Sequence, residues 1–176
     1  MGLYRLLTRW WTGFALAASL GLLAAAHAFE RFGGLAPCNL CLKQREVYWA
    51  AVVVAGIATA WALFSRASRG TPRIAAFLLA CIFITGAVTA GFHAGGELDW
   101  WALPAACAGG GAADLESLTA LALGVGAESR PVMCDAVAWS FLGVSMAGWN
   151  TLISAALALF SLLAAQRPKD ARAPRK

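Results

Sequence analysis

Pro37-Cys38-Asn39-Leu40-Cys41-Leu42-Lys43-Gln44-Arg45 is a short polar break between two long apolar runs. It carries a C-x-x-C pair and a basic residue four positions after the second thiol. Working outward, the chain divides into four apolar runs, approximately residues 11–28, 47–64, 74–92 and 141–165. A span needs about 20 apolar residues, with 17 as the practical minimum. Lipid offers no water to unpaired backbone groups, so each run is expected to be a helix. The 176 residues are 60% hydrophobic and only 13% charged, against about 25% charged in soluble domains. The expectation is an all-α membrane protein: one integral domain over residues 1–176, built as a four-transmembrane-helix bundle.

The first run ends in Ala26-His27-Ala28, which is similar to a signal-peptidase site, with Arg5 and Arg9 ahead of it. Its length favours a span over a cleaved leader, whose apolar core is about 7–15 residues. Thr71-Pro72 is a helix-start signal before the third run. Two loops are expected, at 29–46 and 93–140. Within the second, Asp114 to Leu123 puts Leu115, Leu118, Leu121 and Ala122 on one face, the pattern of a short interfacial helix.

The net charge of +5 does not mark a nucleic-acid binder, because the basic residues form no stripe with aromatics. They gather at run ends. The N-terminus, the 65–73 connection and the tail hold ten basic residues against one acidic, Asp170. The other two connections hold four basic against eight acidic. The positive-inside rule then predicts both termini in the cytoplasm, with Cys38, Cys41, Cys107 and Cys134 on the opposite side. In a bacterium that side is the periplasm, where disulfides persist. Trp10, Trp11, Trp100, Trp101, Trp139 and Trp149 fall near run ends, as an interfacial belt requires.

Cys38 and Cys41 can bridge if the first lies just before a helix or in its first turn. Free N–H groups there favour a thiolate. Pro37 suits such a start, since it needs no donor partner. Arg45 shares a helix face with Cys41 and is placed to stabilise negative charge on it, or on the oxygen of an electron acceptor. Zinc is an alternative for C-x-x-C, but no second C-x-x-C accompanies it. A c-type haem needs His where Leu42 stands, and a thioredoxin fold needs strands. Structural disulfides remain open.

Taken together, these residues resemble the DsbB family, bacterial inner-membrane proteins that reoxidise the periplasmic dithiol oxidase DsbA with quinone. The likeness rests on Pro37-Cys38-x-x-Cys41 with Arg45, the four spans, Cys107 and Cys134, and Cys134 through Trp139-Ser140-Phe141-Leu142-Gly143. The resemblance implies two disulfides, Cys38–Cys41 and Cys107–Cys134. It implies that Cys41 contacts a quinone (ubiquinone or menaquinone) and that Arg45 holds a quinone oxygen. A DsbA-like partner would attack Cys107, and freed Cys134 would attack Cys38. Reoxidising so strong an oxidant needs an acceptor at higher potential still, which is the quinone's part.

The resemblance also implies a quinone or proton role for His93. No metal ligands are expected. Two alternatives are a vitamin K epoxide reductase-like quinone-linked enzyme and a non-enzymatic metal- or haem-binding module. A C-x-x-C between the first two spans favours the DsbB arrangement over the first. Two histidines, His27 and His93, are thin support for haem. Cys81 is expected to be a small packing residue in mid-span. Glu97 and Asp99 are expected to be solvated loop charges. Gly56, Gly86 and Gly91 are expected to allow close helix approach.

Overall fold

Small residues dictate how the apolar runs pack. A computed structural model describes residues 2–64, 70–104, 107 and 133–166, with side chains from residue 6 onward. Its helices are α1 (Gly2–Arg9), α2 (Trp11–Gly33), α3 (Asn39–Phe64), α4 (Arg73–Glu97) and α5 (Met146–Ala165). The last four are long and apolar enough to cross a membrane, so the four-helix membrane architecture expected from the sequence is the one observed. The 114–123 segment and the basic tail lie outside the described residues.

Helix α3 packs against both α2 and α4, and α4 packs most extensively against α5. Their contact faces are lined by Ala15, Ala51, Ala55, Ala76, Ala80, Ala90 and Ala158, with Phe83 and Leu79 as the large fully buried side chains. Val53, Ile57, Trp61, Ile74, Phe77 and Val88 point outward. This pattern suits lipid, where tails are as apolar as leucine and association depends on close backbone approach. Gly86 makes a tight contact between helices: a Cβ there would stand 3.1 Å from Val47 and 3.3 Å from the Ser154 hydroxyl. Gly56 and Gly91 meet only ordinary contacts. Cys81 is exposed on α4 rather than packed between helices, because its face of α4 is turned to lipid.

At one end of the bundle the helices are tied by polar side chains. Trp11 donates its indole N–H to Ser161 at 2.8 Å. The Arg9 carbonyl accepts from the Thr71 N–H at 2.9 Å and from its hydroxyl at 3.0 Å. Helix α4 starts directly after Pro72, whose φ of −64 suits a helix start.

At the other end the helices outrun their apolar cores. Helix α2 continues unbroken through Ala26–Ala28 to Gly33 and stops at Gly34, which takes the left-handed φ of 66 that glycine tolerates. Helix α3 begins at Asn39, eight residues before the apolar run at Val47, and α4 runs to Glu97, five beyond Phe92. The fourth run opens as a hairpin instead of a helix. Strands β1 (Ser140–Phe141) and β2 (Val144–Ser145) pair antiparallel around Leu142 and Gly143, both at positive φ, as a two-residue hairpin turn demands. Ser145 then caps α5, its hydroxyl accepting from the Gly148 N–H at 3.1 Å.

Candidate active site

The helix end that begins with the C-x-x-C positions the sulfurs. Cys38 sits immediately before α3, and its carbonyl accepts the Leu42 N–H at 3.1 Å, the first bond of the helix. Its sulfur accepts the Cys41 N–H at 3.2 Å, taking the place of an N-cap oxygen. The Cys41 sulfur lies 2.7 Å from that of Cys38, which donates to it. This bond, together with burial, holds the Cys38 thiol above the usual range. Cys38 is 4% exposed, while Cys41 opens onto a cavity.

The distant cysteines join the same cluster. Cys107 and Cys134 are both buried and pack with Cys38, Cys41, Leu40 and Leu103. The Cys134 N–H donates to the Cys107 carbonyl at 2.9 Å. The Cys107 sulfur accepts from the Leu40 backbone and bonds to the Cys134 thiol. Burial above all, and then Cys134, pushes its pKa up to about 11. Ligand atoms of Cys38, His93 and Cys134 lie within 4.8 Å of one another. Four thiols scattered over 97 positions of sequence therefore meet at the first turn of α3.

Delivery of Cys107 depends on the end of α4. Trp101 folds back to stack on Phe92 at 5.7 Å and donates its indole N–H to the Phe92 carbonyl at 3.0 Å. A Cβ at Gly95 would come within 2.1 Å of the Trp101 ring, and one at Gly96 within 2.4 Å of Leu103. The paired glycines are thus the floor on which this segment lies. Asp99 makes the reversal at a φ of 57.

His93 and Glu97 occupy successive turns of α4. His93 is buried, with Nε2 3.0 Å from the Cys134 carbonyl and 3.8 Å from the Cys38 sulfur. The Glu97 side chain is only 7% exposed, 3.8 Å from His93 Nε2, and accepts the Ser145 hydroxyl. The expectation of a solvated Glu97 is therefore wrong: the helix continues past Phe92 and carries the carboxylate inward. His27 is exposed and bonds its own helix at the Leu23 carbonyl, so it forms no site with His93.

Arg45 lies at i+4 from Cys41 and lines the same cavity. Two of its guanidinium nitrogens are engaged, Nη1 with the Glu30 carboxylate and Nη2 with the Ala26 carbonyl at 3.2 Å. Arginine has five N–H donors, so others remain for a ligand. Its carboxylate partner fixes the guanidinium at the cavity edge. Glu30 was not singled out by sequence; the available signal was an acidic residue next to the end of an apolar run.

The cavity has a volume of about 410 Å³. Leu22, Leu23, Phe29, Trp139, Met146 and Ile153 supply apolar wall, and Cys41, Arg45 and His93 supply polar points. Phe29 packs on Trp139 at 5.2 Å, and Trp139 stacks on Phe141 at 6.1 Å. The Trp-x-Phe-Leu-Gly stretch thus has a physical reading: two aromatics wall the cavity mouth, and Leu142-Gly143 turn the chain into α5. A flat apolar ring bearing carbonyl acceptors suits such a space, since apolar walls with a few convergent donors typify small-molecule sites.

Two polar residues from inside apolar runs also reach the site. Tyr48 donates to Asn150, and Asn150 donates to Gln44, whose other end lies 3.0 Å from His93. Hydrogen bonds between membrane helices contribute only about 0.6 kcal/mol on average, so this chain bears more on orientation than on stability.

A family model described as Disulfide bond formation protein DsbB matches residues 8–164. The chain belongs to the DsbB family. It is 32% identical over 171 residues to Disulfide bond formation protein B of Marinobacter nauticus, covering 93% of this chain and 96% of that one. It is 34% identical over 163 residues to the protein of the same name from Methylococcus capsulatus, covering 86% and 88%. No solved structure matches the chain significantly. Family membership makes the molecule a multi-pass membrane thiol oxidoreductase of disulfide bond formation.

Proposed function

We propose that the chain reoxidises a periplasmic DsbA-like dithiol protein and passes the electrons to a membrane quinone, with both termini in the cytoplasm. The observation that carries this reading is the gathering of Cys38, Cys41, Cys107 and Cys134 at one helix end beside an apolar cavity. The outer disulfide is Cys107–Cys134, and the inner one is Cys38–Cys41. A thiolate of the partner attacks Cys107, forming a mixed disulfide and releasing Cys134 as thiolate. Cys134 attacks Cys38, and Cys41 leaves as thiolate. The partner's second thiol displaces Cys107, which then attacks Cys134 and frees Cys38. The outer disulfide is restored, and the inner pair holds both electrons.

A bound quinone supplies a two-electron, two-proton acceptor. Cys41 faces the cavity that would hold it, and Arg45 would offer N–H donors to a carbonyl oxygen gaining negative charge. Cys107 is only 3% exposed and packs in one cluster with Leu103, so the partner's attack requires that packing to open.

One observation favours a second reading, metal binding: the Cys38, His93 and Cys134 ligand atoms are close enough to share an ion. Against it, both His93 ring nitrogens already have partners, Nδ1 the Gln44 amide and Nε2 the Cys134 carbonyl, each at 3.0 Å, so neither is free for an ion. The test is turnover of purified protein with a reduced DsbA-like protein and a soluble quinone analogue, ubiquinone- and menaquinone-type, with metal analysis of the same sample. Quinone consumption that depends on the dithiol supports the proposal. Folded protein that consumes neither quinone, and that holds stoichiometric zinc, overturns it.

A further inference from the structure

The polar chain across α3, α4 and α5 is not used by the relay above, yet its directions are linked. Tyr48 gives its phenol proton to Asn150 Oδ1, and Ser154 Oγ lies 2.9 Å from the phenol oxygen. With Oδ1 accepting, Asn150 Nδ2 is left to donate to Gln44 Oε1. Gln44 then turns its Nε2 toward His93 Nδ1, 3.0 Å away. An amide NH₂ only donates, so Nδ1 must be bare. At the far side of the ring, Nε2 meets the Cys134 carbonyl at 3.0 Å. A carbonyl only accepts, so Nε2 must carry the proton. Both ends of the ring independently demand the same neutral tautomer. Two charged or reactive groups also face it, Glu97 and Cys38, each at 3.8 Å and beyond a strong hydrogen bond.

We propose that Tyr48, Asn150 and Gln44 are positioning residues. They hold His93 as its Nε2–H tautomer, and that N–H pins the Cys134 main chain so that the Cys134 sulfur faces Cys38. The inference rests on the thiol relay and deepens it, because the pinned contact is where electrons cross from the outer pair to the inner one. The Cys38 and Cys134 sulfurs are already within 4.8 Å. Attack requires an in-line approach, and a misplacement of about 1 Å typically costs about 100-fold in rate.

Asn150→Asp tests the chain while preserving shape. A carboxylate still accepts from Tyr48 but has no proton for Gln44. Gln44 then donates to Asp and turns its oxygen to Nδ1, which draws the ring proton there. Two readouts follow. The first is ¹⁵N NMR of histidine-labelled protein, with His27 assigned by a His27→Gln variant. Wild type should show His93 with Nδ1 bare and Nε2 protonated, and Asn150→Asp should show the reverse. The second is formation of a Cys38–Cys134 disulfide in a Cys41→Ser/Cys107→Ser background. Diamide takes the two electrons and two protons, and the product is read by mass spectrometry. Asn150→Asp should slow this step about tenfold.

A wild-type ring protonated at Nδ1 overturns the proposal without any variant. So does a reversed tautomer in Asn150→Asp with an unchanged trapping rate. Neither readout involves quinone or a protein partner, so failure here is distinct from failure of the turnover assay.

Discussion

The two thiol pairs are built in opposite ways. Cys38 and Cys41 are three positions apart, and the start of α3 alone brings them together, through the Leu42 N–H on the Cys38 carbonyl and the Cys41 N–H on the Cys38 sulfur. Cys107 and Cys134 are 27 positions apart and belong to no described helix. They are held by Leu103 on Gly96, by the Leu40 backbone and by His93. Local geometry fixes the Cys38–Cys41 pair against the cavity, as the proposed electron acceptor in the membrane would require. Long-range contacts hold the outer pair, and such contacts can be released when a partner docks.

The largest expected effect breaks the comparison outright. Cys41→Ser should abolish quinone reduction with every electron donor. Cys107→Ser should abolish oxidation of a protein dithiol yet leave quinone reduction by dithiothreitol, which can reach the inner disulfide from the cavity side. Parallel assays with the two donors separate the ends. Equal loss with both donors in Cys107→Ser would mean the pairs do not act in series.

Next in size is the cavity edge. Arg45→Leu should lower kcat/KM for quinone about 100-fold, the usual scale for removing a donor aimed at developing negative charge. Glu30→Gln leaves the guanidinium present but loosens it, and should cost nearer tenfold. Dithiol exchange at Cys107 should be unchanged in both. A Glu30→Gln loss as large as that of Arg45→Leu would show that the ion pair itself, rather than its free donors, is what the site uses.

A smaller effect sharpens the contrast from the outer side. Gly96→Ala puts a Cβ where Leu103 now lies, 2.4 Å away. The displaced segment should slow oxidation of a protein dithiol about three- to tenfold. Quinone reduction by dithiothreitol should stay near wild type, because neither Gly96 nor Leu103 lines the cavity that Cys41 and Arg45 share.

How legible these parts were follows the same division. The C-x-x-C, Pro37 and Arg45 at i+4 announce a thiol pair at a helix start, because all their geometry is local. The four apolar runs gave the bundle, and lysine and arginine bias gave the expected orientation. Glu97 was misread because the apolar run ends at Phe92 and Gly95-Gly96 looks like a helix break. The helix in fact continues, and those glycines are spaces for Trp101 and Leu103. Tyr48 and Asn150 lie inside apolar runs, where a polar side chain facing other helices is itself a functional signal. Their partners are invisible until α3 and α5 are packed. The 140–145 hairpin has no Asn-Gly mark, and Leu142 takes the left-handed φ of 53, so only pairing reveals it.

The smallest effect concerns protons at the outer pair. Burial, more than the bond to Cys134, pushes the reduced Cys107 thiol up to about 11. At pH 8 such a thiol is only about 0.1% thiolate. Its alkylation in reduced protein should therefore climb about tenfold per pH unit and level off only near pH 11, whereas an unperturbed thiol levels off above about 8.5. The linkage has a definite sign. The folded pKa is above the unfolded one, so the folded state binds more protons between the two values. This contribution to stability is intact below about pH 8.5 and is lost as pH rises through 11. Cys134→Ala removes both the hydrogen bond and the charge of Cys134 and leaves burial, the largest single cause. The alkylation curve should then move toward lower pH yet stay above that of a free thiol. A curve that collapses to that of a free thiol would make the Cys134 contact, not burial, the reason Cys107 stays protonated. The outer pair would then be tuned as locally as the inner one.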